Sequence, residues 1–185
     1  MTAPSSAPDP VLALLDAERA HFLAQVARIP VARQSQRPTP DRWSAAEIVE
    51  HVASIDRGVA KILALRSAGP PAARAEELAD ATLTPEKVAR VRSRAERFEA
   101  PDRVRPTGML TPEAALEHLA DARAALKAAY AAADPVVLDG AVHPHPVIGP
   151  LTLRGWFLLA AHHDARHAQQ LAELADLAPD AGTHR

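Results

Sequence analysis

The strongest constraint on this chain is its punctuation. Long stretches rich in Ala and Leu are opened by the same short signals: Asp9-Pro10, Trp43-Ser44, Thr84-Pro85-Glu86, Thr111-Pro112-Glu113 and Thr152. A Ser, Thr or Asp oxygen can take one of the orphan N–H groups at a helix start. Proline at the first helical position loses no bond there. These signals predict helices from Pro10 to about Ile29, from Ser44 to about Ser67 and from Thr84 to about Phe98. Two more are predicted from Thr111 to about Ala133, ahead of Asp134-Pro135, and from Thr152 to just before Pro179. No segment alternates convincingly with period two, and Val136–Leu138 is the one short run read as extended. Aromatic residues make up only 3% of the chain, so its core must be built mainly from Leu, Val, Ile and Ala, a composition that favours helices. The expected fold class is all-α: a four-helix bundle with one extra short helix, 84–98, in a connection.

A length of 185 residues suits one domain, here read as 10–178, with a flexible N-terminus 1–9 and a flexible tail 179–185. The stretch 68–83 also reads as flexible. The first ten residues hold three prolines and no apolar run, so they look like neither a signal peptide nor a membrane span. The expected location is cytoplasmic, with no membrane partner. A net charge of −2 without a basic run gives no electrostatic footprint for nucleic acid. The chain has no cysteine, so disulfides, thiolate metal sites and a cysteine nucleophile are excluded. Any metal would have to sit on His, Asp or Glu.

Nine histidines are present, and several bunch between His143 and His167. At about 100° per residue, Ile48, Val52, Ile55, Val59 and Ile62 share one stripe of the second helix, and His51 lies at its edge. In the last helix Trp156, Leu159, Leu171, Leu174 and Leu177 form the stripe, with His163, His167 and Gln170 in the same sector. Polar residues inside a core-facing stripe break the binary pattern, and such breaks tend to mark function. His163 and His167 are one helical turn apart, so both rings project the same way. That spacing can present two nitrogens to one metal ion, and a third can come from a facing helix of the bundle. A lone inward histidine is ordinarily a hydrogen-bonded core residue. The combination of His51, His163 and His167 favours a site for one divalent ion.

The remaining polar residues read differently. His162 points nearly a right angle away from the stripe, His118 reads as solvated, His21 as a rim residue, and His184 lies in the tail. His143 and His145 fall in a Pro-rich segment read as a surface loop, although they could visit the site. Gln170 reads either as support behind an imidazole or as a substrate contact. Ser44-Ala-Ala-Glu47 has the form of a capping box, which accounts for Glu47 better than a role as general base. Arg123 and Glu18 sit within apolar stripes, as members of an inward pair or as residues reaching out at the rim.

Two stretches resemble the DinB-like superfamily of metal-dependent proteins. Trp43-Ser-Ala-Ala-Glu-Ile-Val-Glu-His51-Val is similar to the start of its second helix. His145-Pro-Val-Ile-Gly149-Pro-Leu-Thr-Leu-Arg-Gly-Trp156, followed by His163-Asp-Ala-Arg-His167-Ala-Gln-Gln170, is similar to its last. The connector Phe98–Gly108 also looks like the family's, and the resemblance runs from about Asp9 to Leu177. It implies a four-helix bundle, often a homodimer, with His51, His163 and His167 on a central Zn or Ni. It also implies a small-molecule substrate, since some members transfer low-molecular-weight bacterial thiols such as bacillithiol or mycothiol. Hydrolysis, and a non-catalytic metal-binding bundle, remain alternatives. A ferritin-like di-metal site would want Glu-x-x-His on two helices, which this chain does not supply.

Overall fold

The computed structural model describes residues 9–68, 75–96 and 98–177. Four long helices form the bundle: α1 (Pro10–Ala27), α3 (Ala45–Ser67), α6 (Pro112–Ala132) and α8 (Leu153–Asp176). Helix α1 lies along α8, α8 against α3, and α3 along α6. All five predicted helix starts carry a side-chain cap, from Asp9, Ser44, Thr84, Thr111 and Thr152. At Ser44 the full box is present: its hydroxyl accepts from the Glu47 amide, and Glu47 accepts from the Ser44 amide at 2.8 Å.

The interior has an unusual layout. One apolar cluster holds Leu15, Leu63, Leu126 and Phe157; a second holds Phe22, Ile48, Leu119 and Leu171. Between the two clusters each long helix contributes one charge to a buried ion-pair network: Arg19, Asp56, Arg123 and Asp164. Arg19 grips Asp164 with two bonds of 2.9 and 3.1 Å and reaches Asp56 at 2.9 Å. Arg123 lies 2.8 Å from Asp164 and 3.0 Å from Asp56. Two charges of each sign thus close a neutral layer. A slip of any helix by one turn would strand an unpaired ion in an apolar cluster, so the layer fixes the register of all four helices.

Shorter elements fill the connections: α2 (Val31–Gln34), α4 (Ala75–Asp80), α5 (Pro85–Arg92), a 3-10 turn (Asp102–Val104) and α7 (Pro135–Gly140). A hairpin pairs β1 (Val142–His145) with β2 (Gly149–Thr152), antiparallel, with His145 opposite Gly149.

Four expectations need correction. The hairpin overturns the reading that nothing is extended between His143 and Thr152. Its two prolines, Pro144 and Pro150, face each other in the register and hid the strands from a periodicity argument. Val136–Leu138 is helical, because Asp134-Pro135 opens α7 as well as closing the stretch before it. The extra helix stops at Arg92 rather than Phe98, since Ser93 is extended. Within 68–83, Ala75–Asp80 is a helix, while 69–74 lie outside the described residues. So do 1–8 and 178–185; Asp9, placed in the flexible N-terminus, caps α1. No described helix is long and apolar enough to cross a membrane.

Candidate metal centre

The site begins with α3. Its capping box closes the first turn, and Glu50 and His51 follow on the next. Glu50, buried, accepts from the Thr107 amide at 2.9 Å, the Thr107 hydroxyl at 2.7 Å and the Gly108 amide at 3.2 Å. Those bonds dock the connector 98–110 onto the helix. Gly108 adopts φ +71°, and a Cβ there would stand 3.0 Å from Glu47 Oε1, so glycine suits the close approach. The docked connector carries the Val104 carbonyl to within 2.7 Å of His51 Nδ1. A carbonyl oxygen only accepts, so Nδ1 holds the proton and the Nε2 lone pair of His51 faces inward.

Helix α8 supplies the other two rings. His167 Nδ1 lies 2.8 Å from Gln170 Oε1, one turn onward, which fixes the same tautomer. His163 sits between, its Nε2 3.3 Å from His51 Nε2 and 3.1 Å from His167 Nε2. The three imidazoles offer ligand atoms all within 4.8 Å of one another. His163 Nδ1 is buried and meets no hydrogen-bond partner among the described residues. Burial pushes His163 and His167 well below the ordinary imidazole range, and the neighbouring rings and the Arg166 guanidinium push the same way. His51 is lowered too, chiefly by burial. The rings are therefore neutral at pH 7, the form that binds metals.

A cavity of about 790 Å³ opens above them. Ile55, Val59, Val91, Trp156 and Leu159 give it apolar walls. Val91 comes from α5, which packs on α8, so the extra helix shapes this cavity. The hairpin forms another side. Trp156 donates its indole N–H to the His143 carbonyl at 3.0 Å, and its ring meets His145 at 4.9 Å between centroids. His145 lines the cavity rather than a surface loop, which corrects the earlier expectation.

The other singled-out residues fall outside the triad. Glu47 is the cap and also pairs with Arg37. Glu18 pairs with Arg92, whose Nε reaches His162 Nδ1 at 3.1 Å. Arg123 belongs to the charged layer. His118 is half-buried rather than solvated, and His21 is exposed. Glu18-Arg-Ala-His21 carries the Glu-x-x-His spacing once, but its histidine faces solvent.

Sequence reasoning missed Arg19, Asp56 and Asp164. Asp56 lies four residues after Val52, inside the apolar stripe, and could have been found by the same break in pattern. It also missed Arg166, which is 7% exposed, donates to the carbonyls of Val91, Ser93 and Glu96, and stacks on Phe98.

A four-helix bundle with three convergent imidazoles at the floor of one cavity defines a class: bundle proteins that assemble a ligand site from facing helices. The chain belongs to the DinB superfamily, whose family model matches residues 14–171. It is similar to the uncharacterized protein YuaE of Bacillus subtilis (strain 168), 29% identical over 143 residues, covering 77% of this chain and 83% of that one. It is also similar to the crystal structure of TT2238, a four-helix bundle protein, at a TM-score of 0.56 and 26% identity, covering 89% of this chain and 98% of that one.

Proposed function

We propose that His51, His163 and His167 hold one divalent metal ion, Zn or Ni, and that the protein is a metal-dependent enzyme. Transfer of a low-molecular-weight thiol is the leading reaction. The observation that carries this is the convergence of three Nε2 atoms, two of them with lone pairs aimed inward by acceptors on the far side of the ring. Two nitrogens that each sit about 2.0–2.1 Å from one ion are about 2.8–3.0 Å apart at octahedral angles and about 3.3–3.4 Å at tetrahedral ones. Two of the three separations, 3.3 and 3.1 Å, fall in the range those geometries span, and all three ligand atoms lie within 4.8 Å of one another. Neutral imidazoles also suit a borderline ion.

Such an ion supplies Lewis acidity, which lowers the pKa of a thiol or a water toward neutrality. The protein's own groups do the rest. Val104 and Gln170 hold two rings in one tautomer. The apolar walls keep water away from the reacting atoms and strengthen electrostatics there. Arg166 adds positive potential beside the rings and favours an anionic nucleophile over its protonated form. Hydrolysis would use the same arrangement with water in place of the thiol. A homodimer is part of the same reading; light scattering at the mass of a single chain would remove it.

The test is a panel of thiols and electrophiles assayed with metal-loaded wild type, the chelated protein and His167→Ala. Turnover confined to the loaded wild type is expected. An active metal-free protein would overturn the reading. Loss of stability on chelation with no turnover anywhere would favour a non-catalytic metal-binding bundle.

A further inference from the structure

We infer that the cavity takes a substrate carrying an anionic oxygen group, a carboxylate or a phosphate, held by Arg103 and by the Nε2–H of His145. This deepens the enzyme reading of the same cavity and rests on it for the cavity being the working site.

The case for His145 is geometric. Its Nδ1 accepts from two backbone amides of its own turn, Val147 at 3.1 Å and Ile148 at 3.3 Å. A nitrogen that accepts cannot carry the proton, so the hydrogen sits on Nε2, the opposite edge of the ring. The ring lines the cavity, so that edge presents a donor to a ligand. Burial and the nearby Arg103 push the group down to about 4, so the imidazole stays neutral and keeps its tautomer at pH 7. Locked in this way, His145 donates and does not accept a proton.

The case for Arg103 is one of charge balance. Among the described residues, five arginines and the carboxylates of Asp41, Glu99 and Glu173 line the cavity. Glu173 pairs with Arg42 and Arg94, and Glu99 with Arg105. Arg166 spends its donors on backbone carbonyls. Among the described residues no carboxylate lies within ion-pair distance of Arg103, which leaves its planar donor fork for a ligand. Arg103 belongs to the 3-10 turn whose next residue, Val104, holds His51. It also depresses His143 and His145, which places it across from the hairpin. The donor fork, the imidazole N–H and the three-histidine floor therefore share one chamber.

Trp43 and Trp156, the chain's two tryptophans, both line the cavity and report binding by fluorescence. The experiment titrates the full-length protein, as purified and after EDTA, with 2-naphthoate, 2-naphthyl phosphate and the neutral 2-naphthamide. At least one anion is expected to bind about tenfold tighter than the amide. Arg103→Gln and His145→Asn should each reduce that preference severalfold and leave the amide unmoved. Asn keeps an oxygen that can accept the turn's amides but has no ring N–H, and Arg103 is exposed, so both variants should fold. Equal affinity for anions and amide would overturn the proposal. So would a preference that survives both substitutions and disappears with EDTA, because the anion would then sit on the ion; that result would leave the metal reading intact. An anion preference that survives EDTA and falls with both substitutions would support this inference whatever the turnover assay of the loaded protein shows.

Discussion

Gln170 Oε1 stands 2.8 Å from His167 Nδ1, one turn further along the same helix, and holds that ring with its Nε2 toward the other two. Loss of a partner behind a ligating imidazole typically costs about 10–100-fold in metal affinity. Gln170→Leu is therefore expected to weaken metal binding by about that factor with little change in helix content. Competition with a calibrated chelator measures it, and unchanged affinity would detach Gln170 from the site.

A longer chain of contacts runs from Glu50 through Thr107 and Gly108 to Val104 and so to His51. Glu50→Ala removes the acceptor of two backbone amides on exposed residues, where water can take its place, so the cost should be about 0.5–1.5 kcal/mol for each bond. It should also lower metal affinity about tenfold, because the Val104 carbonyl no longer stays against the ring. Ser44→Ala is the control: losing the cap should cost about 1 kcal/mol and leave metal affinity alone. If both variants shift affinity equally, the effect is general destabilisation.

The charged layer makes a sharper stability prediction. Asp56→Ala strands Arg19 and Arg123 beside a single carboxylate and is expected to cost about 3–5 kcal/mol. The double variant Asp56→Ala, Arg123→Leu restores neutrality with the Arg19–Asp164 pair. It should cost less than the two single changes added together. Urea unfolding of all four proteins gives the coupling, and additive costs would contradict a shared network.

Much of this arrangement was legible in the sequence. The five capped helix starts follow from local chemistry, since each needs only one oxygen in reach of an exposed amide. The inward stripes brought His51, His163, His167 and Gln170 to one face by angle alone. What the sequence hid depends on distant partners. The hairpin runs through Pro144 and Pro150, which break strand patterning, and is held by packing on Trp156. Val104 acts through its carbonyl, so no side chain announces it. Arg19 and Asp164 look like surface charges until the four helices bring them level with Asp56 and Arg123.

His145 gives a pH dependence with a definite sign. Its folded-state pKa is depressed, to about 4 from an ordinary value of 6.5. The stability it contributes is therefore fully present above about 6.5 and is lost as pH falls toward 4. Asp56, raised by burial to about 6, works the other way: its contribution is complete below its ordinary value and is lost as pH rises toward 6. Comparing wild type with His145→Asn cancels the Asp56 part. The urea midpoint of wild type should fall more steeply than the variant's between pH 6.5 and 4. Parallel curves would mean that His145 titrates alike in both states.

The most direct test of the central claim is elemental analysis of the purified, untagged protein beside His163→Ala, after Zn and Ni have been offered to both. About one equivalent of metal per chain in the wild type, and little or none in the variant, is the predicted result. A wild-type protein that stays empty, or a variant that binds as much metal, would contradict a metal centre on His51, His163 and His167.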